Sequence, residues 1–136
     1  MRDEHVRRYA RHILLPDVGG RGQTALMTST ATVELPDHER ASQDAPCAEL
    51  IAAAYLAAGG VGTIVLRGAT DAQRADVAAH AGDSRLVTEG TGRALSLPAR
   101  PAWWPPASLD DGDATALAFW RGGLAALRWM ADIANR

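Results

Sequence analysis

The chain has 136 residues, with hydrophobic residues at 47%, charged residues at 22% and a formal charge of -2. That is one domain's length with enough apolar content for a core, which excludes a wholly disordered chain. Fourteen basic against sixteen acidic residues leave no cationic excess for nucleic acid or an anionic membrane, and all fourteen are arginine, a mark of a GC-rich genome.

Residues 3–15 carry Val6, Ala10, Ile13 and Leu14 at helical spacing. The pattern predicts an amphipathic helix with an arginine-rich outer face, closed by Pro16. The charged start Met1-Arg2-Asp3-Glu4-His5 has no apolar signal core behind it, and no apolar run reaches the roughly 20 residues of a membrane span. The expectation is a soluble, cytoplasmic protein. Residues 17–22 read as a flexible turn, 23–27 as one or two helical turns and 31–35 as a strand stopped by Pro36. Residues 36–46 have no periodicity and form a predicted mobile loop, and Pro46 sits in the first turn of the next helix.

Residues 48–58, AELIAAAYLAA, predict a buried helix ended by a left-handed cap at Gly59-Gly60. Thr63-Ile64-Val65-Leu66 follows as a parallel strand buried on both faces. Thr70-Asp71-Ala72-Gln73 matches a capping box, opening a helix from Asp71 to His80 that runs out at Gly82. Arg85-Leu86-Val87 is a third strand. Residues 90–113 are a long connection rich in Gly, Pro, Ser and Asp, anchored by Leu95, Leu97 and Trp103-Trp104.

Residues 114–134 predict one helix with two apolar stripes, Leu117, Trp120, Leu124, Leu127 and Ala131 on one face and Phe119, Ala126, Met130 and Ile133 on the next. Gly122-Gly123 inside it would cost about 1 kcal/mol each relative to alanine, so close packing is expected to compensate. The fold class is therefore α/β, a single domain over 1–136. It is a reduced Rossmann-like three-layer domain with a short, mostly parallel sheet of about three strands, an N-terminal helix and a long C-terminal helix.

The run Arg8-Tyr9-Ala10-Arg11-His12-Ile13-Leu14-Leu15-Pro16, followed by Val18-Gly19 and Gly22-Gln23, resembles the N-terminal signature of the ThiF/MoeB/HesA family, bacterial relatives of ubiquitin-activating E1 enzymes. Tyr55-Leu56-Ala57-Ala58-Gly59-Gly60-Val61-Gly62-Thr63-Ile64 is similar to the family segment that leaves the first Rossmann helix and enters the second strand. Gly122-Gly123-Leu124-Ala125-Ala126-Leu127 is similar to a small-residue helix near the end of its adenylation domain. These matches cover about half of a chain shorter than typical members. For complete members the resemblance implies ATP- and Mg-dependent adenylation of the C-terminus of a ubiquitin-like or sulfur-carrier protein, usually in a dimer.

The resemblance also implies candidate nucleotide-contacting residues, Arg8 and above all Arg11, at the position of an arginine donated to the partner subunit's triphosphate. The alternative for Arg11 is an exposed helix arginine paired with a neighbouring carboxylate. Other parts of the family site are missing. A glycine-rich turn should follow the first strand, yet no glycine occurs from Ala31 to Tyr55, and Asp37, Glu39 and Asp44 stand where a polyanion should dock. Leu66 leads into Arg67-Gly68-Ala69 instead of a ribose-binding acid, with Asp71 read as a helix start. Lysine is absent, as are the zinc-binding cysteine pairs of many relatives.

Cys47 opens a helix, where a nucleophilic or thioester role competes with that of a structural thiol, and as the lone cysteine it points to a reducing compartment. The four histidines form no i, i+3 or i, i+4 pair, so no metal is expected. Asp37, His38 and Glu39 offer an acid and a base, but a solvated loop supplies the same residues and is the preferred reading. Trp103-Trp104 reads as a partner-binding patch or as cover for the sheet or the last helix.

The expectation from all this is a non-catalytic E1-like scaffold or regulatory subunit without a cofactor. It would work as a homodimer or beside an E1-like enzyme or carrier protein. The alternatives are an active adenylyltransferase using ATP and Mg, and a small peptide- or metabolite-binding module.

Overall fold

The computed structural model describes residues 1–37, 47–104 and 111–136. Four strands, β1 (Thr30–Glu34), β2 (Thr63–Arg67), β3 (Arg85–Val87) and β4 (Arg93–Ala94), form one all-parallel sheet in the order β3-β2-β1-β4. Six helices accompany it among these residues: α1 (Asp3–Arg8), α2 (Ala10–Ile13), α3 (Gly19–Thr28), α4 (Ala48–Ala58), α5 (Asp71–Ala78) and α6 (Asp111–Ala134). The α/β class, the parallel sheet and the long C-terminal helix agree with the sequence. The sheet has one strand more than expected, because β4 lies inside the connection over 90–113.

Alternation decides which sheet face is the core. Ala31 and Val33 of β1 and Ile64 and Leu66 of β2 point to one side and pack with Leu56 of α4 and Trp129 of α6. On the other face Val65 is covered by the passage from β3 to β4. That passage is extended, not helical, with Gly90 against the Val65 side chain and its carbonyl accepting from Arg67 Nη2 at 2.9 Å. The third layer is thus one strip of backbone, which is why Gly90 and Gly92 are needed there. A Cβ on Gly92 would come within 2.6 Å of Thr30 Cγ2.

Helix α4 ends as its sequence demands. Gly60 takes φ +82°, Gly60 N–H donates to the Ala57 carbonyl and Val61 N–H to the Leu56 carbonyl, a full Schellman closure with Leu56 and Val61 both buried. Thr70 and Gln73 form the reciprocal capping box of α5. Helix α6 starts at Asp111, three residues before the expected 114. Its Gly122 lies on α4, where a Cβ would overlap the Ala48 carbonyl and stand 2.9 Å from Ile51 Cβ.

Two expectations need correction. The N-terminal helix is two short helices, broken at Tyr9 (φ -100°, ψ 19°). Its buried side chains are His5 and Tyr9, while Leu14 is 82% exposed and Val6 also faces solvent. The Tyr9 ring fits the backbone hollow over Gly60, and anchoring it turns the small aliphatic stripe outward. Second, residues 19–22 are the first turn of α3, not a flexible turn. Gly22 is buried against Ala134 at the end of α6, and that packing stabilises glycines in a helix. Of the two apolar stripes expected on α6, the one with Ala126, Met130 and Ile133 packs in or against the core beside Gly122, Ala125 and Trp129, and the one through Leu117 and Leu124 lies off it. Most of the loop at 36–46 and residues 105–110 of the long connection lie outside the described residues.

Candidate functional site

In an open parallel sheet, ligands bind beyond the carboxyl ends of the strands where the strand order reverses. Here β2 and β3 extend from one side of β1 and β4 from the other, so the reversal lies between β1 and β4. A cavity of about 320 Å³ occupies that place, lined among others by Thr32 and Glu34 of β1, Glu49 in the first turn of α4, and Ser96. The Thr32 hydroxyl is buried there without a hydrogen-bond partner among the described residues. Two carboxylates at the rim oppose the docking of a triphosphate, since like charges across a few ångströms of protein repel by several kcal/mol unless a cation intervenes. Asp37 begins the loop beside it; His38, Glu39 and Asp44 lie outside the described residues.

At the end of β2, Arg67 stands where the sequence resemblance leads one to expect a ribose-binding acid, and its guanidinium is engaged with the Gly90 carbonyl. Asp71 is a fully exposed residue in the first turn of α5, 3.5 Å from Arg74.

Cys47 is the N-cap of α4 and makes no capping hydrogen bond through its side chain. Burial pushes the thiol up from its ordinary value, ahead of the backbone N–H groups of Leu50 and Glu49, which favour the thiolate. The helix start therefore fails to activate it. Alkylation by iodoacetamide is expected to run slower than for a solvent-exposed model thiol at neutral pH. Its rate should rise only at a pH above the free thiol's range, which a pH series followed by mass spectrometry would show; a rate at or above that of the model thiol would refute this.

The N-terminal signature sits at the other end of α4. Tyr9, His12 and Gln23 converge on Gly59-Gly60. Gln23, fully buried, donates through Nε2 to the Gly59 carbonyl at 3.1 Å and meets His12 Nδ1 through Oε1 at 3.2 Å. The Tyr9 and His12 rings stack with centroids 6.2 Å apart, and a Cβ on Gly60 would come within 2.6 Å of Tyr9 Cζ. Burial and the nearby Asp83 carboxylate raise the Tyr9 phenol's pKa, so the ring stays neutral over the physiological range. The first two of the three segments that carry the family resemblance thus touch, and Tyr9, His12 and Gln23 hold α2 and α3 to the end of α4.

Arg8 and Arg11 part company here. The Arg8 guanidinium lies over Gly82, 3.5 Å from Asp83 Oδ2, with His5 Nε2 at 3.8 Å from the same carboxylate oxygen. It is occupied in tying α1 to the loop before β3. Arg11 projects into solvent and makes no hydrogen bond or ion pair among the described residues. Neither can reach the reversal point of its own sheet, because 11 residues of α4, about 16 Å at 1.5 Å per residue, separate the two ends.

Trp103 and Trp104 form a triad with Trp120 of α6, with centroid distances of 5.6 and 6.3 Å. Trp104 is partly covered and Trp103 is 73% exposed, so the pair both caps the helix and presents an aromatic surface. Their neighbours Pro105 and Pro106 lie outside the described residues. Among the described residues no cluster of His, Cys, Asp and Glu is set to hold a metal ion, and no helix is long and apolar enough to cross a membrane.

Sequence reasoning gave no role to Gln23, Asp83 and Trp129. Gln23 stood inside the segment that carries the N-terminal resemblance, but nothing in its spacing separates a buried amide from a solvated one. No family model matches the chain, and no curated protein matches it.

Proposed function

We propose that this chain is a catalytically inactive E1-like domain of the ThiF/MoeB/HesA type that works as a partner subunit, lending Arg11 to the nucleotide site of an active E1-like enzyme. The observation that carries this reading is the separation of the two ends of α4. The N-terminal signature is intact and locked onto Gly59-Gly60, whereas the place for a nucleotide, between β1 and β4, holds Glu34 and Glu49. Arg11 is exposed, makes no hydrogen bond or ion pair among the described residues and lies away from its own sheet's switch point, so in this reading it serves a neighbouring molecule.

Arg11 is suited to that task because a guanidinium stabilises developing phosphate charge through a fixed fork of donors. Its own chain needs no cofactor for this; ATP and Mg would be held by the partner. The acceptor would be the C-terminus of a ubiquitin-like or sulfur-carrier protein, bound by the same partner.

The test is calorimetric titration of the purified chain with Mg-ATP. No heat of binding at millimolar nucleotide is the expected result. Micromolar binding would overturn the reading and favour an active adenylyltransferase built on the cavity between β1 and β4, to be followed by pyrophosphate exchange. With a bound E1-like enzyme in hand, Arg11→Ala is expected to lower its adenylation rate roughly a hundredfold while leaving the thermal midpoint of this chain unchanged.

A further inference from the structure

Helices α4 and α6 and the end of α5 line a cavity of about 340 Å³ that shares no wall with the strands. Small-molecule sites occupy roughly 300–1,000 Å³ and are mostly apolar with a few placed polar groups. This cavity is built that way. Ile51 of α4 and Val77 of α5, both buried, form its floor. Beside them α4 presents Ala54 and Ala58, short side chains that leave open the space a leucine would fill.

The aromatic side chains single this place out. Of the seven in the chain, Tyr9 and Trp129 are buried, and Trp103, Trp104 and Trp120 pack on one another. The other two, Tyr55 and Phe119, both line the cavity and are 49% and 50% exposed. Two half-exposed rings beside an apolar hollow leave contiguous apolar surface in water, which a scattered surface leucine does not.

Charge decides what fits. Asp76 brings a carboxylate to the wall, exposed and with no hydrogen bond or ion pair to its side chain among the described residues. His80, one helical turn on, offers an acceptor nitrogen as a neutral imidazole. Among the described residues no arginine lines the cavity. An ammonium group at Asp76 would therefore find a carboxylate, an acceptor nitrogen and two aromatic rings around one small space, whereas a ligand carboxylate would meet like charge.

We propose that this cavity binds a small primary amine with a flat apolar body, its ammonium at Asp76 and its body between Tyr55 and Phe119, over Ile51 and Val77. The site shares no residue with the cavity between β1 and β4, and Arg11 takes no part in it, so its outcome is independent of the E1-like reading.

The test is a nuclear magnetic resonance titration of the full, methyl-labelled chain with tryptamine, tryptophol and indolepropionate. The three share an indole body and end in an ammonium, a hydroxyl and a carboxylate. Tryptamine is expected to shift the Ile51 and Val77 methyl resonances and to bind roughly tenfold more tightly than tryptophol, the gain from a charge-assisted hydrogen bond and a cation–π contact. Indolepropionate is expected to bind more weakly than either. Asp76→Asn should bring tryptamine down to the affinity of tryptophol and leave tryptophol unchanged, which separates a ligand contact from a loss of fold. Ala54→Leu should fill the cavity and remove binding of all three with an unchanged circular dichroism spectrum. Tryptamine that leaves those methyl groups unshifted at millimolar concentration, indolepropionate that binds as tightly as tryptamine, full tryptamine affinity in Asp76→Asn, or binding that survives Ala54→Leu would each overturn the proposal.

Discussion

Trp129→Ala is expected to destabilise the domain by about 3–5 kcal/mol, the range for emptying a large aromatic site in a packed core. Trp129 is 4% exposed and belongs to the cluster that joins α6 to Ala31, Ile64 and Leu66. It also holds an edge. Its indole N–H donates to the Arg93 carbonyl at 3.1 Å, and the Arg93 guanidinium pairs with Asp132 one turn along the same helix. Strand β4 is only two residues long and meets β1 at Ala31↔Arg93 and Thr32↔Ala94, too little ladder to persist alone. Against a total stability of about 5–15 kcal/mol for a domain of this size, the alanine variant should be partly unfolded near 37 °C. Trp129→Phe keeps most of the volume but leaves the Arg93 carbonyl without its donor, so a smaller loss of about 1–3 kcal/mol is expected. Urea titrations at constant m-value would measure both. A loss below about 1 kcal/mol for the alanine variant would mean that α6 is held by its other contacts and that β4 needs no anchor.

The elements legible in the sequence are those whose signals are local. Helix α4 declares itself by composition and by Gly59-Gly60, β2 by its β-branched run, and α5 by a capping box whose two hydrogen bonds form as the residue types require. What local pattern cannot supply is the choice between competing faces. On α6 the stripe through Leu117 and Leu124 is more apolar than the stripe of Gly122, Ala125, Ala126 and Trp129, yet the core takes the second. Small residues let α6 approach α4 closely, and one tryptophan fills what remains. The same competition inverted the N-terminal helices, where one aromatic ring over Gly60 outweighed four smaller aliphatic groups. At the candidate site, the missing glycines were legible because each is a statement about one backbone segment, but the cavity's carboxylates were not: the sequence pointed to Asp37, Glu39 and Asp44, and those lining the cavity are Glu34 and Glu49. That Tyr9, His12 and Gln23 meet Gly59-Gly60 was not, because the meeting joins segments 36 or more residues apart.

Gly62→Ala is expected to cost about 3 kcal/mol or more, a greater loss than a glycine's conformational freedom alone explains. Gly62 has no positive φ; its constraint is approach. A Cβ there would overlap the Met27 carbonyl oxygen, with the carbonyl carbon at 2.8 Å and the Ser29 oxygen at 3.3 Å. Those atoms are backbone, pinned where α3 passes into β1, so no side chain can rotate away. The closeness has a purpose in the sheet. Gly62 N–H donates to the Leu26 carbonyl and Thr63 N–H to the Ser29 carbonyl, which sets the register in which Thr30 faces Thr63 and Glu34 faces Arg67. Pushing the strands apart at this point strains the first two ladder bonds and lifts α3 from the end of α4, where Gln23 is buried. The effect should therefore appear twice: as a lowered urea midpoint, and as faster amide exchange at Gly62, Thr63 and the Gln23 side-chain amide. Gly123→Ala is the matched control. Its Cβ would stand 3.8 Å from Tyr55 Cε2 with nothing else within 4 Å among the described residues, so the helix propensity gain of about 1 kcal/mol should make that variant more stable than wild type. A Gly62→Ala variant as stable as wild type would mean that α3 and β2 are free to separate, and that the close approach of the two resemblance segments is not what holds the N-terminal signature in place.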